Sequence, residues 1–364
     1  MDIDVQGLTL KYGEATAIDN LDLSVADGEA LVLLGQSGCG KTSTMRCIAG
    51  LEEPSAGTIR IGGEAVFDSA RGVSKPPHKR NIGMVFQSYA IWPHLSVFEN
   101  VAFPLVMEGV KKPEIARRVT DTLELVGLAH LAERGASLLS GGQMQRVALA
   151  RSLVMQPSVL LLDEPLSNLD ARLRDRLRIE LRDLQQRLGL TSIYVTHDQQ
   201  EALALADKIA LMQGGRIVQI GTPDDIYSRP VSASIADFLG VGNILPSSVV
   251  DPSTIAVDGL DGRVAVASVP GTSTTDAGLR ACVRAEDIVL GPASDSGVNV
   301  FTGTVNVVSF QGPTVHYLIS AAGGAQIAVL APKATASHYR VNDTVTFSIA
   351  PDVVQVLPQE VIAA

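Results

Sequence analysis

Three short segments of this sequence hold the residue types that handle phosphate. Gly35-Gln36-Ser37-Gly38-Cys39-Gly40-Lys41-Thr42 fits the pattern G-x-x-x-x-G-K-[ST]. Its glycines let successive backbone N–H groups curl around phosphate oxygens. The N-terminus of the helix that follows, expected to end near Gly50, adds a partial positive charge. In this pattern Lys41 reaches the β- and γ-phosphates of a nucleotide and the Thr42 hydroxyl binds Mg²⁺. Gln36 through Thr42, with Ser43 next on the helix, form the expected nucleotide contact. A plain glycine-rich turn would cap a helix without needing Lys-Thr at this place. The second segment, Leu160-Leu161-Leu162-Asp163-Glu164, is an apolar run ending in two acids. Such a run reads as a buried parallel strand, and ligands gather at the carboxyl ends of such strands. Asp163 is placed to hold the Mg²⁺ site. Glu164 is placed to orient or deprotonate an attacking water.

The third segment is Leu139-Ser140-Gly141-Gly142-Gln143. Ser140 reads as an N-cap, and Gln143 three residues later completes a capping box. The ordinary reading is a well-capped helix running to about Met155. Ser-Gly-Gly also offers backbone N–H groups at a positive helix end, a second anion-binding surface. One phosphate pocket already has its loop, so a second makes sense if it closes over a nucleotide held by another copy. Asp170 reads as the N-cap of a further helix. That helix carries Leu173, Leu177, Leu181, Leu184 and Leu188 at helical spacing, assigned to core packing.

The elements that must position these residues alternate strand and helix, which implies a mostly parallel sheet. Its strand candidates are Ala30–Leu34, Ile82–Phe86, Val159–Leu162, Ser192–Thr196 and Lys208–Met212. A different pattern starts near Arg229. Beyond it lie short β-rich runs: Arg263–Ala267, Leu279–Arg284, Gly303–Phe310, Val315–Ile319, Gln326–Leu330 and Thr344–Ile349. They read as a small barrel or sandwich. The domain expectation is therefore 1–239 for the α/β part, with a helical subdomain over about 88–155, and 240–364 for the β part. A chain of 364 residues suits two domains.

Charge and cysteines exclude several classes. With 29 basic and 39 acidic residues, the net charge of −10 argues against a broad nucleic-acid surface. The β part holds 5 basic and 10 acidic residues and no run of stacking aromatics, so oligonucleotide binding there has little support. Cys39, Cys47 and Cys282 show no paired or metal-ligand spacing and read as thiols of a reducing compartment. The start, Met1-Asp2-Ile3-Asp4, lacks the basic and apolar regions of a signal peptide. No apolar run reaches the roughly 18 residues that span a bilayer. A membrane part, if there is one, is expected in another chain.

Taken in order, these segments resemble the ATPase subunits of ABC transporters, over residues 1 to about 240. Lys11-Tyr12-Gly13 resembles the aromatic loop, which implies that Tyr12 stacks on adenine. Val85-Phe86-Gln87 resembles the Q-loop, which implies that Gln87 senses the Mg²⁺ and water site. Leu139–Gln143 resembles the family signature, and Ser167-Asn168-Leu169-Asp170 the D-loop that crosses a dimer interface. Val195-Thr196-His197-Asp198 resembles the switch region, which implies that His197 meets the γ-phosphate. Taken singly, each would be an ordinary structural residue; the joint order decides. The resemblance implies a P-loop NTPase domain with a RecA-like core and a helical subdomain. It also implies ATP and Mg²⁺ as ligands and a homodimer with two ATP at its interface. Each ATP would lie between the phosphate loop of one copy and Ser140, Gly141, Gly142, Gln143 and Asp170 of the other.

The resemblance implies partners as well: two integral-membrane permease subunits and, indirectly, an extracytoplasmic solute-binding protein. The chain would sit peripherally on the cytoplasmic face of the inner membrane. Trp92, Pro93 and Phe98 either line the groove that receives the permease or pack the subdomain. Gly303-Thr304-Val305, Phe310-Gln311-Gly312 and Val283-Arg284-Ala285-Glu286-Asp287 resemble the transport-associated OB-like domain of importers, with Ala285 where Pro is usual. The stretches Gly83–His94 and Phe238–Asn243 look most like ferric-iron, polyamine and aminophosphonate importers, and less like sugar importers. Ferric iron is the favoured substrate. A non-transport ABC ATPase would bring a long coiled coil or a second cassette, and neither is in the sequence. A regulatory module that has lost catalysis is disfavoured by Lys41, Asp163, Glu164 and His197. An exporter ATPase is disfavoured by the C-terminal β domain.

Overall fold

The chain opens with a hairpin of β1 (Ile3–Tyr12) and β2 (Ala15–Val25), turned at Gly13 with φ of 59°. β3 (Ala30–Gly35) is buried at every position, as a strand covered on both faces must be. The glycine loop leads into α1 (Lys41–Ala49). Then β4 (Ala56–Ile61), β5 (Glu64–Asp68) and β6 (Val73–Ser74) join the hairpin in an antiparallel sheet of order β2-β1-β4-β5-β6. This sheet lies outside the strand candidates of the sequence. Register shifts within β1 and β4 break the alternation of buried and exposed residues that would have announced it.

β7 (Ile82–Val85) is followed by three helices, α2 (Val97–Met107), α3 (Lys112–Leu125) and α4 (Gly141–Leu153). α4 stops about one turn-half short of Met155, at the Val154 cap. The chain continues through β8 (Val159–Asp163), α5 (Ala171–Leu188), β9 (Thr191–Thr196), α6 (Gln199–Leu205), β10 (Lys208–Gln213), β11 (Arg216–Gly221) and α7 (Pro223–Ser228). The second sheet has order β11-β10-β3-β9-β8-β7, parallel from β10 to β7 and antiparallel only at β11. Its five parallel strands are the five apolar runs read from the sequence. This is a RecA-like P-loop architecture.

In α5, Leu177, Leu181 and Leu184 are buried, but Leu188 is 40% exposed and does not belong to the core stripe. It is the last helical residue before Gly189, whose φ of 58° ends the helix where it leaves the core. Gln185 takes the inward position instead, its Nε2 donating to the carbonyls of Gly28 and Leu190 at 3.0 Å.

A computed structural model of the chain describes residues 1–269, 278–291, 298–334 and 339–360. It divides into two units, Met1–Ser228 and Arg229–Ala364. The second unit starts with α8 (Ala233–Phe238) and continues in strands: β12 (Asn243–Asp251), β13 (Thr254–Val257), β14 (Arg263–Ala265), β15 (Leu279–Val283), β16 (Ile288–Leu290), β17 (Val300–Phe310), β18 (Thr314–Ala321), β19 (Gln326–Pro332), β20 (Thr344–Ile349) and β21 (Gln355–Pro358). They form two five-stranded sheets, β14-β13-β12-β15-β21 and β16-β20-β17-β18-β19, a near-barrel of OB type. Phe301, Tyr317, Ile319 and Phe347 lie in its core. Ala285, where Pro is usual, is buried in a 3₁₀ turn. Among the described residues, no helix is long and apolar enough to cross a membrane.

Candidate nucleotide site

The parallel sheet delivers its polar residues at one edge. Gly35 ends β3, Asp163 ends β8 and Thr196 ends β9, while Gln87 follows β7 by two residues. This is the carboxyl edge, where α/β sheets bind ligands. The loop after β3 needs its glycines for two reasons. Gly38 and Gly40 adopt φ of 81° and 103°, which side chains disfavour. A Cβ on Gly40 would also meet the Ala17 carbonyl oxygen at 2.6 Å. Gln36, Ser37 and Gly38 are exposed, whereas Cys39 is buried beneath the loop.

Lys41 is buried, and its Nζ donates to the carbonyls of Gly35 at 2.8 Å and Gln36 at 2.9 Å, with Cys39 Sγ at 3.7 Å. These partners are carbonyls and a sulfur, so the ammonium charge stays available to an anion. Gly40 gives α1 no side-chain cap, which leaves first-turn N–H groups free of a competing acceptor. Thr42 Oγ1 donates to Asp163 Oδ1 at 3.0 Å. Burial pushes the Asp163 carboxyl above its usual range, partly offset by the Thr42 hydroxyl. A hydroxyl and a desolvated carboxylate are hard oxygen donors, the set that suits Mg²⁺ shared with phosphates. No cluster of three or more His, Cys, Asp or Glu able to hold a metal occurs among the described residues.

Glu164 stands at the centre of a second group. Its Oε2 accepts from Gln87 Nε2 at 3.3 Å and lies 3.3 Å from His197 Nδ1. Its backbone has φ of 43°, a left-handed conformation that costs a non-glycine residue about 1–3 kcal/mol. The Glu164 N–H donates to the Val195 carbonyl at 3.0 Å, which ties it to β9. Asn168 Nδ2 donates to the Gln87 carbonyl at 2.8 Å, so the loop after β8 also fastens the residue after β7. Asn168 carries no role in the sequence reading; only its place in the Ser167–Asp170 motif marks it.

The remaining candidates stand apart from this cluster. Ser140 caps α4: Gln143 N–H donates to its Oγ at 3.4 Å and Gln143 Oε1 accepts from its N–H at 2.9 Å. The capping box is therefore formed. Gly142 is also tightly packed, which spacing did not reveal: a Cβ there would meet Leu173 Cδ2 at 3.0 Å. Asp170 caps α5, accepting from the Leu173 N–H at 3.0 Å. Tyr12 is 52% exposed. Its hydroxyl donates to Glu52, which holds the phenol above its usual pKa. Ser43 hydrogen-bonds the same phenol. Trp92 stacks on Phe103 with centroids 4.2 Å apart, and the Arg151 guanidinium lies 4.7 Å from its ring centre.

Comparison with known proteins decides the family. Residues 18–167 match the family model described as ABC transporter, and residues 281–357 match that of the TOBE domain. The chain is 46% identical over 326 residues to the Fe(3+) ions import ATP-binding protein FbpC of Brucella melitensis, covering 88% of each chain. It belongs to the ABC transporter ATP-binding proteins. It is 44% identical over 357 residues to the spermidine/putrescine import ATP-binding protein PotA of Thermobifida fusca, covering 96% of this chain and 91% of that one. Among solved structures, CbiO1 of Clostridium perfringens, part of the ABC transporter complex cbiONQ, superposes with a TM-score of 0.57 at 31% identity. That match covers 62% of this chain and 90% of CbiO1. This ABC protein is thus the ATP-hydrolysing subunit of an importer, and its family binds ATP and Mg²⁺ through the two motifs described above.

Proposed function

We propose that this subunit powers the import of ferric iron, as one half of a homodimer attached to two integral-membrane permease subunits on the cytoplasmic face of the inner membrane. An extracytoplasmic binding protein would deliver the cargo. The observation that carries the substrate reading is the 46% identity to an Fe(3+) importer protein over 88% of both chains. Polyamine import is the second reading, favoured by the 44% match that covers 96% of this chain.

The geometry supports the following division of labour. Gln36–Ser43 and α1 bind the triphosphate, with Lys41 on the β- and γ-phosphates and Tyr12 stacked on adenine. Thr42, Asp163 and Gln87 would hold Mg²⁺, which when bound neutralises phosphate charge. Glu164 orients a water; as its oxygen bonds to the γ-phosphorus, the bond to the bridging oxygen breaks and its electrons pass to ADP. The water's proton leaves toward the Glu164 carboxylate. His197 donates to the γ-phosphate. Ser140, Gly141, Gly142, Gln143 and Asp170 of the second copy complete the pocket. ATP closes the dimer because it touches both copies.

An apolar pocket of about 450 Å³ on the helical subdomain, lined by Leu95, Phe98, Phe103, Val106 and Ile115, supports that face as the permease dock. Phe98 lines it, while Trp92 packs on Phe103, one of its lining residues. The test is Glu164→Gln in the host with uptake of labelled ferric iron, polyamine and aminophosphonate measured in parallel. Loss of iron uptake alone agrees with the proposal. Intact iron uptake with loss of another substrate discards the cargo and keeps the mechanism.

A further inference from the structure

His197 is the exposed member of a turn whose other residues are fastened from beneath. Thr196 and Glu201 are both 3% exposed. The Thr196 hydroxyl donates to Glu201 Oε2 at 2.6 Å and accepts from the Asp198 N–H at 3.0 Å. Asp198 caps α6, its Oδ1 accepting from the Glu201 N–H at 3.1 Å. The turn is thus closed on itself by two carboxylates, and the position of the imidazole follows from theirs.

Arg174 stands between these carboxylates and the Ser167–Asp170 loop. Arg174, in the first turns of α5, donates from Nη1 to Asp198 Oδ2 at 3.4 Å and from Nη2 to the Leu169 carbonyl at 3.1 Å. Its Nε is buried without a hydrogen-bond partner and lies 3.8 Å from Glu201 Oε1. The guanidinium fork is rigid, so its contacts move together. A shift of the Leu169 carbonyl drags the fork, and a few tenths of an ångström would bring Nε into bonding range of Glu201. Buried donors are rarely left open, and this one has its nearest acceptor just out of reach.

We propose that Arg174 is a positioning residue that ties the orientation of His197 to the seating of the Ser167–Asp170 loop. The proposal rests on the reading of His197 as a γ-phosphate donor. The loop sits beside Gln87 through Asn168 and next to Glu164, so it is displaced by whatever occupies that pocket. Arg174 carries the displacement to Asp198 and Glu201, and they turn the imidazole. Hydrolysis is then licensed only when the loop is seated. Arg174 touches neither nucleotide nor water itself.

The experiment is a double-mutant cycle on the full chain, reading kcat and KM for ATP hydrolysis, affinity for a fluorescent ATP analogue, and Tm. Arg174→Ala should lower kcat roughly 5- to 20-fold with KM and analogue affinity within about twofold, because it acts through a catalytic group. Added to His197→Ala, it should change kcat by less than about twofold, since groups acting as one unit are not additive. Multiplying effects, or an unchanged kcat in Arg174→Ala, overturn the proposal while leaving His197 in place. Wild-type kcat in His197→Ala alone removes the histidine reading, and the proposal falls with it. If Arg174→Ala lacks a cooperative melt, Asp198→Asn asks the same question. Asparagine keeps the cap and removes the charge that Arg174 holds, and the same two outcomes apply.

Discussion

Two helices of the first unit begin with Ser/Gly-rich sequence and point a positive end at solvent, yet they begin differently. α1 starts at Gly40 with no side-chain cap, and the ammonium of Lys41 lies folded inside its loop. α4 starts at Ser140 with both halves of a capping box made. The first is open to an anion; the second is satisfied by its own side chains. An anion arriving at α1 needs no rearrangement beyond the Lys41 side chain. At α4 it must compete with Ser140 Oγ, held by a long 3.4 Å bond. A helix end is therefore not one kind of site. An uncapped end offers its N–H donors directly, whereas a capped end must first give up its own acceptor.

The largest effect that would sharpen this contrast is Lys41→Ala. Removing the cation at the open end should lower ATP hydrolysis about 100-fold or more, the scale of losing one preorganised charge-stabilising donor. A phosphate-release assay with less than tenfold loss would break the claim that this end holds the nucleotide. Asp163→Asn should be nearly as damaging to Mg²⁺-dependent hydrolysis, and it carries a second readout. Burial raises the Asp163 pKa, so the carboxylate is destabilising when ionised. That cost is absent at low pH and grows as pH rises through the unfolded value toward the folded one. Asparagine keeps the oxygen that accepts from Thr42, so the nucleotide-free protein should melt higher at neutral pH. A lower Tm would contradict the desolvation argument.

Ser140→Ala tests the closed end. Loss of the cap should cost about 1 kcal/mol, seen as a Tm lower by a few degrees. If the capped end also receives a phosphate from a second copy, kcat falls roughly 10-fold with ATP binding to the single chain unchanged. A Tm change with full kcat would reduce α4 to a structural helix. The smallest effect belongs to Tyr12. Tyr12→Phe keeps the ring and loses the phenol's bonds to Glu52 and Ser43, so KM for ATP should stay within about twofold; Tyr12→Ala should raise it severalfold through lost stacking. Equal KM values in both variants would remove adenine stacking from the account.

Much of this was legible in the sequence because chemistry at a strand end leaves a local signature. Leu160-Leu161-Leu162-Asp163-Glu164 shows burial, direction and function in five residues. The Ser140–Gln143 capping box is equally local. What stayed hidden depends on contacts across the chain. Asn168 reaches Gln87, 81 residues away, and Arg174 reaches Asp198 across 24; on α5 that arginine looks like any other solvated charge. Gly142 reads as a phosphate contact, yet it also lies tight against the side chains of Leu173 and Leu177. The β2-β1-β4-β5-β6 sheet hid behind its own register shifts.

The left-handed backbone at Glu164 has a consequence for inheritance. A change from Glu164 to Gly removes the carboxylate and relieves the backbone in one step. Relief of the left-handed backbone offsets the added freedom of a glycine in the unfolded chain, so the product should still fold. In a cell making both forms, on the dimeric reading, it would pair with working copies and idle them.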